Sequence, residues 1–455
     1  MMKLGHIRLH RAVAGLLALA VLFGAGGGAL AFCGFYVAQA DSKLFNKASK
    51  VVLARDDENG TSITMASDYE GDPKEFAVVI PVPTFIERKQ IGIVDLKTID
   101  HLDRFTAARL VEYFDPDPCP ERSVYDSITV SAAAAPTAMA GIARQREEKV
   151  HVEASYEVGE YDIQILSADE SDALVTYLTE NGYKIPAGAE ETLGSYIRQK
   201  MHFFIAKVNL DRMALDGGKF IRPLQVRYQS PKFMLPIRLG TVNASGPQDL
   251  IIYALTMKGR VETTNYRTVQ MPSGMDVPLY VKDKFGEFYK ALFEKQVERD
   301  GMHNIYLEYA WNTAWCDPCA AEALTVPELN ALGARWLEPS MGQQRFGGPQ
   351  AYVTRLHVRY DAAHFPEDLQ LQETGDTSNF QARYVLRHPF KGKAECRAGD
   401  AYFASLPARF GREADQLADL TGWQVADIHA QMEANGQSFT PPSTGLIRWI
   451  ERQFD

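Results

Sequence analysis

The chain has 455 residues and a formal net charge of −10, from 48 Lys and Arg against 58 Asp and Glu. An acidic chain without a basic cluster argues against nucleic acid and anionic membrane surfaces as partners. Its length exceeds one ordinary core, so two or three packed subdomains are expected, and its aromatic content, 11%, is enough for most of it to fold.

The first 31 residues carry the pattern of an export signal. Lys3, Arg8 and Arg11 form a basic head, residues 12–23 an apolar stretch and residues 24–28 a glycine-rich break. Ala29, Leu30 and Ala31 then fit the small-x-small rule for cleavage before Phe32. The apolar stretch is shorter than the roughly 20 residues a bilayer span needs. Cys33 stands just past the cut, but Phe32 occupies the place where lipid attachment wants a small residue. Cleavage removes three cations and no anions, taking the charge to −13. The mature chain is expected to be soluble, exported to the periplasm or beyond, and without a membrane span.

Residues 32–130 read as β-rich. Residues 50–55 and 61–66 form a hairpin around Asp56, Asp57, Glu58, Asn59 and Gly60, since Asn-Gly tolerates positive φ at both positions. Residues 76–82 are almost continuously apolar, as in a strand buried on both faces, while Pro81 and Pro83 suggest an edge or exit position. Residues 115–121 hold three prolines, which excludes helix and central strand. Residues 131–149, with four alanines before Pro136, lack a hydrophobic period and form the candidate linker or loop.

Residues 150–330 read as an α+β region. Strands are expected within residues 150–166. Ser167 and Glu170 have capping-box spacing, ahead of Leu174, Tyr177 and Leu178 on one helical face and Gly182 as the stop. A second helix over residues 187–200 buries Leu193, Tyr196 and Ile197, and residues 202–209 return as a strand. Residues 249–257 and 260–269 form a hairpin turning at Lys258 and Gly259. Phe285, Phe288, Tyr289, Leu292 and Phe293 keep helical spacing within residues 281–299. A strand over residues 304–312 leads into Trp315-Cys316-Asp317-Pro318-Cys319, and a short helix over 326–332 follows. In residues 331–455, segments 352–360 and 382–386 read as strands. The last fifty residues read as helical, with Ala414, Leu417 and Leu420 on one stripe. Hairpins mixed with helices, without regular βαβ alternation, predict an α+β fold with largely antiparallel sheets and packed helices.

Five cysteines follow the cleavage site: Cys33, Cys119, Cys316, Cys319 and Cys396. All are disulfide candidates, and an odd number leaves a free thiol or an intermolecular bridge. In an exported chain Cys316 and Cys319 form a redox centre, a small disulfide clamp or half of a metal site. A bridge from Cys33 to Cys119 would contribute about 4.6 kcal/mol by chain entropy, against roughly 2 for the short Cys316–Cys319 loop, so the short one needs another reason to exist.

Residues 306–319 locally resemble the active-site strand and turn of thioredoxins. In that arrangement Cys316 would be the attacking thiolate at a helix start, and Cys319 would resolve the mixed disulfide. The Asp317 charge works against a thiolate, Pro327 interrupts the next helix, and Gly347 and Gly348 before Pro349 are not the usual apolar strand end. Zinc would need two further ligands, but His303, His357, His364 and His388 are scattered, and His357 in mid-strand suits packing or surface, so no metal is expected. Asp56, Asp57 and Glu58 read as a solvated hairpin tip rather than a calcium site. Trp315 reads as a packed tryptophan. No nucleophile-elbow, zinc-hydrolase or phosphate-loop motif is present, so no cofactor is expected.

Segments 33–37, 68–73, 76–83, 158–163, 181–186, 235–240, 316–319 and 379–387 together resemble a bacterial exported family catalogued only as a domain of unknown function, number 2330. The resemblance spreads over most of residues 33–390 and implies no activity, substrate or catalytic residue. The expectation is therefore a binding or structural protein with an unknown ligand or protein partner, stabilised by disulfides. The alternative is a thiol–disulfide oxidoreductase using Cys316 and Cys319.

Overall fold

A computed structural model describes residues 35–38, 45–70, 76–119, 151–169, 171–183, 185, 188–209, 211–212, 221–242, 244, 246–315, 321–338 and 351–440. The chain begins with β1 (Phe35–Ala38), β2 (Phe45–Arg55), β3 (Gly60–Glu70), β4 (Phe76–Val82), β5 (Ile91–Ile93), α1 (Leu96–Thr106) and β6 (Arg109–Phe114). It continues through β7 (His151–Val158), β8 (Tyr161–Ser167), α2 (Ser171–Glu180), α3 (Ala189–Arg198), β9 (His202–Val208), β10 (Leu224–Gln229), β11 (Met234–Leu235) and α4 (Arg238–Val242). Next come β12 (Gln248–Thr256), β13 (Val261–Thr263), β14 (Arg267–Gln270), β15 (Met275–Val277), α5 (Phe285–Arg299), β16 (Asn304–Asn312) and α6 (Val326–Ala331). The last elements are β17 (Tyr352–Tyr360), β18 (Leu369–Glu373), β19 (Phe380–Gln381), β20 (Arg383–His388), α7 (Arg397–Thr421) and α8 (Val425–Ala434).

Two large sheets face each other. The nine-stranded sheet runs β14-β16-β17-β12-β2-β3-β10-β5, with β19 also on β16, and the five-stranded sheet runs β1-β4-β9-β8-β7. The smaller of the two is antiparallel throughout, and the larger is antiparallel except at β2/β12 and β14/β16. Their inner faces share one core, in which Val51, Ile252 and Leu356 meet Ile80, Ile163 and Phe204. Helices cover the outer faces. Leu174 of α2 and Leu193 of α3 lie on Val79 and Phe203, while Ile99 of α1 and Leu329 of α6 lie on Val52, Tyr253 and Val353. Strand β12 is apolar on both sides for this reason: Ile252 and Ala254 face the sandwich, Tyr253 and Leu255 the helices. The helices α5, α7 and α8 share a third core with the parallel sheet β15-β20-β6. This is an α+β fold of mixed, largely antiparallel sheets with packed helices.

The β2/β3 hairpin forms as expected. Asn59 takes φ of 67°, and Asp56 Oδ1 accepts from the Glu58 and Gly60 amides. Strands β16 and β17 and the stripe Ala414, Leu417 and Leu420 also match. Four expectations need correction. Strand β4 is interior, between β1 and β9, so its prolines mark an exit and not an edge: Pro81 is next to last in the strand and Pro83 stands just past it. Ser167 makes no capping box: it ends β8, and its buried hydroxyl has no partner. Residues 249–257 and 260–269 do not pair, because β12 already has β17 on one edge and β2 on the other. Past Gly259 the chain leaves that sheet and β13 pairs with β18. A Cβ at Gly259 would stand 2.6 Å from the Thr374 carbonyl oxygen, so this exit requires glycine. Finally, the region read as β-rich contains α1, capped by Asp95, whose carboxylate accepts from the Lys97 amide. The candidate signal and linker segments, Cys33, Cys316 and Cys319 lie outside the described residues.

Candidate functional site

The densest set of buried ionisable groups lies on the outer face of the nine-stranded sheet. Its origin is a β-bulge: the register of β16 on β17 shifts between Leu307 and Tyr309, so Glu308 is an extra residue there. Regular alternation would send Glu308 and Tyr309 to opposite faces. The bulge lets both serve the outer one, where Glu308 reaches Arg355 and His357 and Tyr309 joins the α1 core.

Glu308 has 0% exposure. Its carboxylate accepts from the Tyr289 hydroxyl at 2.6 Å and from Arg355 Nε at 2.6 Å, and it pairs with His357 Nδ1 at 2.9 Å. The His357 ring lies flat on Phe293 of α5, with centroids 3.6 Å apart. Arg355 Nη1 donates to Asp103 Oδ1 on α1 at 2.7 Å. Asp103 also accepts from the Tyr253 hydroxyl at 2.6 Å and from Lys50 Nζ at 2.7 Å. Lys50, Asp103, Arg355, Glu308 and His357 thus form one continuous chain across β2, β17 and β16, tied to α1 through Asp103 and to α5 through Tyr289.

Burial alone would raise the pKa of Glu308. The charges of Arg355 and His357 and the bonds from His357 and Tyr289 outweigh it and bring the group down to about 2. Asp103 follows the same balance, burial opposed by Arg355, Lys50 and Tyr253, and also falls to about 2. Burial disfavours the Arg355 cation, yet Tyr253, Glu308 and Asp103 beside it raise its pKa above the ordinary value. A carboxylate this acidic and already accepting from three groups is a weak base. The arrangement fastens helices to the sheet more readily than it moves protons.

The described cysteines form a second constellation. Cys119, beyond β6, is bonded to Cys396, the N-cap of α7, across 277 positions of sequence. Beside it Asp115 accepts from the Tyr402 hydroxyl at 2.6 Å and from Arg409 Nη1 at 2.5 Å, both on α7. These bonds and the Arg409 and Arg387 charges outweigh burial and lower the pKa of Asp115. One α7 turn from Arg409, Glu413 is buried with Oε2 accepting from Gln437, and burial pushes its pKa up to about 7.

Trp315 is 54% exposed and meets Trp311 edge-on at 5.0 Å, which corrects the expectation of a packed ring. Residues 321–325 are not helical, and the next helix begins at Val326. Two of the four histidines expected to be scattered come together and two do not. His303 and His364 rings stand 5.2 Å apart, His388 stacks on Phe114 and bonds Glu112, and His357 serves Glu308. Among the described residues no group of three or more His, Cys, Asp or Glu side chains could hold a metal ion. Sequence reasoning missed Glu308, Asp103 and Arg355. The available signal was a charge inside an otherwise apolar strand, facing alternate polar positions Arg355, His357 and Arg359 in the next.

The family described as an uncharacterized protein conserved in bacteria, DUF2330, matches residues 28–372. No curated protein matches the chain, and no solved structure matches it.

Proposed function

We propose, from the premise that the chain belongs to the bacterial family DUF2330, that it is an exported protein acting by binding or as a structural component, braced by a disulfide. The observation that carries this reading is the Cys119–Cys396 bond. Disulfides persist where thiols are oxidised, outside the bacterial cytoplasm, and residues 1–31 have the pattern that leads there. The buried Glu308 and Arg355 and the half-buried Asp103 are bonded to one another, which supports bracing over turnover.

The test expresses the full chain in bacteria, fractionates the cells and traps thiols by alkylation before mass analysis. The expected product is periplasmic, begins at Phe32 and has Cys119 and Cys396 protected. A cytoplasmic product with an intact amino terminus and five alkylated cysteines would sink the proposal.

A second reading keeps the oxidoreductase. Because Cys119 and Cys396 hold each other, they are withdrawn as partners for Cys316 and Cys319, and the half-exposed Trp315 stands directly before that pair. Its test is the reduction potential of the pair. A value of roughly −120 to −270 mV with rapid exchange supports redox work, and one well below about −300 mV means a structural clamp.

A further inference from the structure

A cleft of about 450 Å³ opens between the 3-10 turn Leu279–Lys282, the start of α5 and the turn joining α7 to α8. This lies within the roughly 300–1,000 Å³ typical of small-molecule sites. Tyr280, Trp423, Lys284, Glu287, Asp427 and Gln431 line it. The backbone on one side is fixed. Gly422 takes φ of 75° and donates to the Ala418 carbonyl at 2.7 Å, and the Trp423 amide donates to Thr421 Oγ1 at 3.1 Å.

Three buried tyrosines elsewhere use their hydroxyls, Tyr196 on Asp368, Tyr253 on Asp103 and Tyr289 on Glu308, whereas the buried Tyr309 hydroxyl has no partner among the described residues. Tyr280 is only 5% exposed, yet among the described residues its hydroxyl has no such partner, and neither has the Trp423 indole N–H. The side chains of Lys284, Glu287, Asp427 and Gln431 likewise bond no described residue. Burial raises the Tyr280 pKa to about 12, so the hydroxyl stays neutral and can both donate and accept.

The lining therefore offers the partly exposed Trp423 ring, the Tyr280 hydroxyl, charged donors and acceptors, and amide groups that do both. Two carboxylates against one ammonium disfavour an anionic ligand, and Lys284 in the same wall disfavours a cation. A purely apolar ligand would strip water from these polar groups without replacing its bonds. What remains is a neutral molecule with apolar C–H faces and many hydroxyls. We infer that the cleft binds a neutral mono- or disaccharide, stacked on the Trp423 indole and hydrogen-bonded through its hydroxyls to Glu287, Asp427 and Gln431. The assignment rests on the binding half of the function proposed above and is independent of export.

The test is titration calorimetry with saturation-transfer NMR on the full disulfide-bonded chain. The probes are glucose, galactose, N-acetylglucosamine, maltose and cellobiose, with choline and inorganic phosphate for comparison. At least one sugar is expected to bind saturably at millimolar or lower concentration and to shift tryptophan emission. Asp427→Ala and Gln431→Ala, at exposed positions, are expected to keep the melting temperature and weaken that sugar by about tenfold, the loss of one or two hydrogen bonds. No saturable binding of any sugar would overturn the assignment, as would unchanged affinity in both variants or a preference for choline or phosphate. If the sugars fail while fractionation and thiol trapping succeed, only the saccharide is lost. Sugar binding by a cytoplasmic product would remove export and leave the site.

Discussion

Glu308 stays ionised with no exposed surface because Arg355, His357 and Tyr289 converge on its two oxygens. Glu308→Ala leaves Arg355 as a buried cation with only Asp103 for an ionic partner, so unfolding in urea should show a loss of about 3–5 kcal/mol. A loss below about 1 kcal/mol would mean the network is dispensable. The sign of the pH effect follows from the depressed pKa. Glu308 and Asp103, at about 2 when folded, contribute stability above the ordinary carboxylate range that disappears as pH falls towards 2. Glu413 acts in the opposite sense. Its pKa is raised by burial to about 7, so its contribution is complete below the unfolded value, about 4.3, and is lost as pH rises through 7. Burial also raises Asp368 and Glu373, which add to the same limb. Glu413→Gln is therefore expected to reduce the decline of the urea midpoint between about pH 4.5 and 7 while leaving the acid limb intact. An unchanged slope on the upper limb would remove Glu413 from this account.

Among the elements, the turn after α6 is tightly constrained. Gly333 takes φ of 108°, and a Cβ there would lie 2.6 Å from Ser62 Cβ and 3.0 Å from Ala54 Cβ on β3 and β2. Gly333→Ala combines left-handed strain with a clash against Cβ atoms held in place by the paired strands, and should cost about 2–4 kcal/mol in thermal or urea unfolding. A variant as stable as the parent would show that the turn can shift. Elements were legible where a period and its end signals agreed, as in β16 and β17, whose observed bounds are those expected. Helix α1 carries equally readable signals, with Asp95 as cap and Ile99, Leu102 and Phe105 three apart, but it is short and lies between strand-like segments. Ser167 shows the converse. Its spacing to Glu170 suits a cap, yet strand pairing with β7 claimed the serine first, because a ladder bond and burial outweigh one cap bond.

For the molecule as a whole, the Cys119–Cys396 bond joins the end of β6 to the head of α7. Closing a loop with a sequence separation of 277 removes chain entropy equivalent to about 5.6 kcal/mol, at the upper end for one disulfide. Reduction, or Cys119→Ser with Cys396→Ser, should lower the urea midpoint accordingly, and an unchanged midpoint would mean that the Asp115 contacts with Tyr402 and Arg409 suffice. Composition, periodicity and turn residues alone determined the α+β class, most strand and helix positions and the set of cysteines able to pair, while matching segments carried the family resemblance. Only the tertiary structure decided that Cys119 takes Cys396, that β2 lies parallel to β12, that Glu308 meets Arg355, and that Tyr280 and Trp423 line one cleft. The physical reason is the range of the information. Hydrophobic period records which face of an element avoids water, a property of adjacent residues. Partner choice depends on how segments separated by tens to hundreds of positions pack against one another, and no local spacing encodes that.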